Sequence, residues 1–273
     1  MPELPEMEHY RSRLSHLLCG QQVTGVVVNR EGTINEPAEV FKASLLGRVI
    51  LFVERRGKHL LFHLDDGYRL HLHLMLGGWM SYGEQAPKKL SQYQVILSFG
   101  NGVSLYFGGL RLGYLHRITA KAAIEELKEL GPDALDPRLT LEAFRKRLAG
   151  KKGKLKTTLT DQRFVSGIGN CYSDEIAFDA NVFPAAAVSG LKDEEIERIY
   201  HSIRNVLTAA IEAGGYMEQP FTSDDTVTGG FNDLCQVYDR GDEPCRVCGT
   251  TIQHETITGR KMFYCPTCQP KGA

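Results

Sequence analysis

Four of the seven cysteines fall within 24 residues, as Cys245-x-x-Cys248 and, sixteen residues on, Cys265-x-x-Cys268. Each Cys-x-x-Cys bends the chain so that two thiolates face one ion, and two such knuckles give the tetrahedral sulfur cage that zinc prefers. Paired disulfides are the alternative, disfavoured in a reducing compartment. A four-cysteine cage keeps no open coordination position, so the expected cofactor is one structural Zn2+. Residues 252–256 and 261–264 read as a hairpin turning at Thr258-Gly259, with Arg260 at its tip. Cys19, Cys171 and Cys235 read as unpaired thiols without a role.

The other end of the chain carries a different chemistry. Pro2 follows Met1, and a small second residue generally allows the initiator methionine to be removed. The exposed secondary amine, with a pKa of roughly 8, could attack a sugar C1′ and form an iminium. Glu3 beside it could move protons for ring opening and elimination. Lys58, in Arg55-Arg56-Gly57-Lys58-His59, offers a cation for phosphate or a proton for a departing group. A proline at position 2 is common and alone means little, and with Met1 attached its nitrogen is an amide.

A third constellation suits phosphate. Residues 161–170, Asp-Gln-Arg-Phe-Val-Ser-Gly-Ile-Gly-Asn, read as a helix ending in a glycine loop. Asn170 is expected to N-cap the next helix, with Asp174 and Glu175 in its first turn and a stop before Pro184. Glycines admit close backbone approach, and the N–H groups of a helix start favour anions. A purely structural corner explains the same residues. Upstream, Arg145, Lys146, Arg147, Lys151, Lys152, Lys154 and Lys156 carry seven charges with no acid among residues 145–156. That run is either a solvated face or a surface that tracks a DNA backbone.

The elements that must position these groups have three textures. Leu4, Met7, Tyr10, Leu14 and Leu17 place a helix at about 3–18. Short β-branched, leucine-rich or aromatic runs follow at 23–28, 49–54, 59–64, 69–75, 93–99 and 103–107, with turns at 65–67 and 100–102, a pattern of sandwiches and flattened barrels. After Thr119 the texture is helical, with a long helix at about 192–213, and 216–244 reads as a polar loop. The 273 residues, 42% hydrophobic and 24% charged, suit two globular domains. A net charge of −1 gives no composition-level support for nucleic-acid binding, which must rest on local charge. No apolar run approaches the roughly 20 residues of a membrane span, and the acidic start is no signal peptide. A cytoplasmic protein is expected, used at the bacterial nucleoid.

Taken together, Pro2-Glu3-Leu4-Pro5-Glu6, Arg56-Gly57-Lys58, His71-Leu72-His73-Leu74, Asp161-Gln162 through Gly167-Ile168-Gly169-Asn170, Val237-Tyr238-x-Arg240-Gly241-x-x-Pro244-Cys245 and Gly259-Arg260 before Tyr264-Cys265-Pro266-x-Cys268 resemble the formamidopyrimidine-DNA glycosylase/endonuclease VIII family over the whole chain. The resemblance implies an α+β fold: an N-terminal β-sandwich with a leading helix (1–130), a helix–two-turn–helix domain (131–240) and a zinc hairpin (241–273). It implies a bifunctional glycosylase/AP lyase, a monomer acting on double-stranded DNA that carries oxidised or ring-opened bases or abasic sites. By position Pro2 would be the Schiff-base nucleophile, Glu3 the general acid, and Lys58 a phosphate contact assisting β-elimination. Asn170 and Arg260 would grip the phosphates flanking a flipped nucleotide, Arg260 also serving the second elimination, and Lys152 matches a backbone contact.

Three departures bear on substrate. An enzyme that flips a base fills the hole with apolar or planar side chains, and the wedge position falls on Leu76 rather than Met. In Gly108-Gly109-Leu110-Arg111-Leu112-Gly113, alignment from Asn101-Gly102 puts Arg111 at the family's Arg and deletes its Phe. Alignment from Gly113 instead substitutes Leu110 and Leu112; Arg111 is preferred. Gly214-Gly215-Tyr216-Met217 replaces the Gly-Gly-Thr-Thr that opens the lesion loop. Retained Pro2 and Glu3 favour an enzyme. The altered filler loops favour a catalytically weak binder of distorted or branched DNA, and a protein-binding zinc ribbon would account for 245–268 only.

Overall fold

The computed structural model describes residues 1–86 and 88–271. It divides into two compact units, Met1–Lys128 with Ala213–Gly230, and Glu129–Glu212 with Phe231–Ala273. Residues 213–230, placed by chain order with the helical region 131–240, thus cluster with the first unit.

In the first unit, helix α1 (Leu4–Leu18) buries Leu4, Met7, Tyr10, Leu14 and Leu18 along one stripe. Eight strands follow: β1 (Val23–Val28), β2 (Ile50–Arg56), β3 (His59–Leu64), β4 (Tyr68–His73), β5 (Trp79–Gly83), β6 (Tyr93–Phe99), β7 (Ser104–Gly108) and β8 (Tyr114–Thr119), with α2 (Ala38–Leu45) between β1 and β2 and α3 (Ala120–Leu127) after β8. They form two four-stranded sheets, β1-β6-β7-β5 and β2-β3-β4-β8. Val23, Leu97 and Phe107 of one share a core with Leu60, Phe62, Leu72 and Leu115 of the other, which makes the sandwich. Gly67 and Gly102 supply the left-handed residue (φ +82° and +81°) in the β3–β4 and β6–β7 turns. The sequence reading lacked α2, β5 and β8. β5 is short and follows Gly77-Gly78; β8 alternates Leu115 in the core with Tyr114 and His116 outside, so it lacks an apolar signature.

Period-2 alternation has an unusual result on the outer face of the second sheet. His59 pairs with His73 across β3–β4, and His71 with His116 across β4–β8. His63 lies two residues from Leu61 on the same face. His71 is buried, its Nδ1 2.8 Å from the Glu126 carboxylate of α3 and its Nε2 2.9 Å from His59 Nδ1. A carboxylate only accepts, so His71 donates from Nδ1 and accepts at Nε2, and His59 donates from Nδ1.

The second unit holds α4 (Leu141–Leu148), α5 (Leu155–Leu159), α6 (Asn170–Asp179) and α7 (Asp193–Glu212), then the hairpin β9 (Gln253–Ile257) and β10 (Arg260–Tyr264). Thr140 caps α4 by accepting from Ala143 N at 3.2 Å. Phe144, Leu159, Phe164, Ile176, Ile203 and Leu207 are fully buried. Among the described residues, no helix is long and apolar enough to cross a membrane.

The histidine ladder makes stability depend on pH. Burial, then the Lys58 charge and His71, lower His73 from 6.5 to about 4, and burial, then His73, His71 and Lys58, lower His59 further. An unfolded chain therefore binds protons that the fold refuses between those values, so unfolding free energy falls as pH drops from about 6.5 toward 4. His73 alone should cost about 1–2 kcal/mol between pH 7 and pH 5. Urea midpoints at the two pH values measure this; His73→Gln should narrow the gap, and an unchanged gap would place the pH dependence elsewhere.

Candidate functional site

The N-terminus is built around one carboxylate. Pro2, Glu3 and Glu6 are all buried. Glu3 is the N-cap of α1 and forms a reciprocal capping box, its side chain accepting from the Glu6 amide while Glu6 Oε2 accepts from Glu3 N at 2.7 Å. The other oxygen, Glu6 Oε1, accepts from Tyr216 N at 3.0 Å. Gly215 lies at φ +71°, and a Cβ there would sit 2.2 Å from Glu6 Oε1, so only glycine admits this approach. The Tyr216 hydroxyl donates to the Met1 carbonyl at 2.6 Å.

The rest of the 213–230 segment is fastened to the same unit. Phe221 packs in the core edge-on to Tyr10 at 5.4 Å, which corrects the reading of 216–244 as polar loop throughout. Asp225 accepts from the amides of Phe221, Val227 and Thr228, each at 3.0 Å. Burial opposes its charge, but these donors and the Thr228 hydroxyl outweigh it and hold Asp225 well below the usual carboxylate range.

Lys58 occupies the turn between β2 and β3, with only 5% of its surface exposed. Arg55, just before that turn, is tied to α1 by its Nε at 2.7 Å from Glu8 Oε2. The two loops that the sequence reading expects to fill the flipped base's space run side by side: at Gly109 (φ +67°) a Cβ would meet Gly77 O at 1.9 Å. His73 Nδ1 accepts from Met75 N at 3.0 Å, holding the first loop so that Leu76 is 65% exposed. In the second, Leu110 is in the core while Arg111 is exposed and Leu112 is 64% exposed. Only Arg111 and Leu112 present side chains to solvent, a distinction no alignment could make.

Asn170, Arg260 and Lys152 all lie in the second unit. Residues 161–169 form turns rather than the expected helix, and Gln162 ties them, donating to Thr160 O and Ile168 O (3.0 and 2.8 Å) and accepting from Gly167 N (2.9 Å). The N-cap of α6 is Gly169, which has no side chain to cover the helix start, so Asn170 is the first helical residue and not the cap. Asp174 and Glu175 accordingly fall in the second turn and are buried. Asn170, Arg260 and Lys152 are exposed, and Arg260 donates to the Thr160 hydroxyl just beyond α5.

The basic run is divided. Lys156 is not part of a solvated or DNA-facing surface: it is fully buried, donating to Asp174 Oδ1 at 2.8 Å, Asn170 O at 3.0 Å and Ser173 Oγ at 3.2 Å. Arg147 donates to Phe164 O and Arg163 O. Asp174 Oδ2 accepts from Phe263 N of β10 at 3.0 Å. Burial pushes Asp174 up, while Lys156 and that amide pull it back. Glu175 accepts from the amides of Gln236, Val237 and Tyr238 at 2.7–2.9 Å. Through two acids, α6 thus holds both the hairpin and the strand of chain leading to it. Nothing in the local sequence pattern distinguishes Lys156 from its six neighbours except Leu155 and Leu159 flanking it on a short helix.

The four cysteine sulfurs lie within 4.8 Å of one another. Zn–S bonds of about 2.3 Å in a tetrahedron set sulfurs about 3.8 Å apart, and here Cys245–Cys268 is 3.9 Å and Cys248–Cys265 is 3.4 Å. The donor set fits one structural Zn2+, with β9 and β10 turning at Thr258-Gly259 as expected.

With this geometry in view, three family models match the chain: the formamidopyrimidine-DNA glycosylase N-terminal domain over residues 1–115, its H2TH domain over 130–221, and the zinc finger found in FPG and IleRS over 242–271. A formamidopyrimidine-DNA glycosylase from Pelotomaculum thermopropionicum is 36% identical, with 98% of this chain and 99% of that protein covered. One from Bacillus cereus is 35% identical, with 99% and 100% covered. Among solved structures, the MutM (Fpg) protein from Thermus thermophilus aligns with TM-score 0.86 at 34% identity over 100% of both chains. A Lactococcus lactis Fpg variant in complex with Fapy-dG containing DNA aligns at 0.90 and 30% identity, covering 99% of this chain and 100% of that one. Capped N-terminus, glycine-linked helix start and four-cysteine hairpin occur in one sequence that matches these relatives from end to end, and the chain belongs to the formamidopyrimidine-DNA glycosylase family.

Proposed function

We propose that this chain, once Met1 is removed, uses the Pro2 amine to excise oxidised or ring-opened bases from duplex DNA and to cleave the strand at the resulting abasic site. The observation that carries this reading is the capping box at Glu3 and Glu6, which sets Pro2 at the mouth of α1 and packs the 213–230 segment beside it. The nitrogen lone pair attacks C1′, the base departs with the electrons of the glycosidic bond and the amine gives up its proton, leaving Pro2 bonded to C1′ as an aminal. Glu3 protonates O4′, the C1′–O4′ bond breaks, and the opened sugar is held as the Pro2–C1′ iminium. Loss of a C2′ proton then breaks the C3′–O bond, and a second elimination breaks the C5′–O bond.

The remaining residues bind. Lys58 is a phosphate contact that assists the first elimination. Asn170, at a helix start whose cap has no side chain, and Arg260 grip the phosphates about the flipped nucleotide, Arg260 also serving the second elimination. Lys152 follows the backbone, and Leu76 with Arg111 fills the space the base leaves. Zinc supplies structure alone, since its four thiolates close the coordination sphere. The protein acts in the cytoplasm.

Two outcomes test the assignment. Protein with a processed N-terminus should nick a duplex bearing an abasic site. A copy extended by an N-terminal tag, whose Pro2 nitrogen stays an amide, should bind the same duplex and nick it at least about a hundredfold more slowly. Equal rates would remove Pro2 from the chemistry, and tight binding without nicking by either protein would favour a binder of distorted DNA. Leu76→Ala should slow excision of a damaged base about tenfold, the cost of a poorer wedge, and leave nicking of a preformed abasic site within about twofold. Equal loss on both substrates would argue against the wedge.

A further inference from the structure

We propose that Tyr216 is a positioning residue for the nucleophile: its hydroxyl accepts a hydrogen bond from the Pro2 amine and turns the nitrogen lone pair toward C1′. The inference rests on the Pro2 reading above and adds to it a group that the sequence marked only as a departure from the expected lesion-loop start.

The phenol already makes both kinds of contact with residue 1. It donates to the Met1 carbonyl at 2.6 Å and receives the Met1 ammonium at 3.4 Å. The carbonyl carbon it grips is bonded to Pro2 N, so the hydroxyl oxygen lies within about 5 Å of that nitrogen by covalent geometry. Removal of Met1 leaves the new amine as the N-terminal donor next to the same oxygen. The placement does not depend on Met1, because Tyr216 is held from its other end. Its amide is bound by Glu6 Oε1 at 3.0 Å, while Glu6 Oε2 binds Glu3 N, one residue beyond Pro2, at 2.7 Å. One buried carboxylate therefore fixes the backbone of the nucleophile and the backbone of the phenol together, and Gly215 is the residue that lets them come this close.

A neutral proline amine has one N–H and one lone pair. When the phenol oxygen accepts the N–H, the lone pair is left pointing away from Tyr216 and available for attack. When the amine is protonated the same oxygen accepts from it as well, which favours the charged form and raises the pH at which the amine becomes nucleophilic.

Tyr216→Phe removes only the hydroxyl and keeps the backbone amide that Glu6 Oε1 binds. In single-turnover nicking of an abasic-site duplex by processed protein, the plateau rate should fall about tenfold, the scale of one lost hydrogen bond. The half-maximal pH of the acid limb should move downward, and affinity for a duplex carrying a tetrahydrofuran abasic analogue should stay within about twofold. Wild-type rates and an unmoved acid limb in Tyr216→Phe would overturn the proposal. So would a rate loss uniform in pH and matched by lost affinity, which would make Tyr216 part of the loop's packing. If wild-type protein itself fails to nick, the Pro2 reading falls and takes this inference with it; nicking by wild type separates the two.

Discussion

The arrangement of the first unit turns on the Glu6 carboxylate. It has two oxygens and uses one on each of two distant parts of the chain, the Glu3 amide and the Tyr216 amide. Buried as it is, a carboxylate left without either donor would face an uncompensated desolvation cost of several kcal/mol. Three otherwise unrelated features follow from that demand. Helix α1 must start directly after its cap Glu3, residue 215 must be glycine, and the 213–230 segment must fold back onto a unit from which the long helix α7 separates it in sequence. Chemistry at an N-terminus needs such a constraint, because chain ends are otherwise poorly ordered.

The second unit solves a related problem with the same chemistry. The zinc hairpin packs Phe263 with Phe178 and Val237, and Ile257, Met262 and Tyr264 with Phe183 and Ala185, but apolar packing is non-directional, so hydrogen bonds must fix its orientation. Helix α6 imposes it through Asp174, which accepts from β10, and Glu175, which accepts from the 236–238 amides. Lys156 balances Asp174 and at the same time holds the carbonyl of Asn170. The exposed Asn170 and Arg260 are thereby placed by one buried network rather than by two independent loops. Removing either member of the Lys156–Asp174 pair would strand a buried charge, at a cost of about 3–5 kcal/mol.

What the sequence disclosed depended on whether a role leaves a local pattern. The Cys-x-x-Cys pairs, the α1 stripe and the turns at Gly67 and Gly102 have fixed spacings and were legible. Asn170 was legible as a residue at a helix start but not as the first residue of the helix, because a glycine cap leaves no side-chain signature. Strand β8 was missed because its outer face carries Tyr114 and His116 under α3. Lys156 looks like its neighbours in a basic run, and only its long-range partners Asp174 and Ser173 make it a core residue. Tyr216 registered as an anomaly whose meaning needed the Met1 carbonyl 2.6 Å away. Leu76 was found through the family pattern alone; the structure adds that His73 and the abutting glycines hold its loop while leaving its side chain exposed.

Covalent capture of the nucleophile tests the central claim most directly. Processed protein would be mixed with an abasic-site duplex, the iminium reduced with borohydride, and the adduct digested and sequenced by tandem mass spectrometry. The account predicts a single cross-linked peptide beginning at Pro2, with the reduced sugar on the proline nitrogen. A cross-link at a lysine side chain, Lys58 included, or no cross-link from protein that binds the duplex tightly, would contradict it.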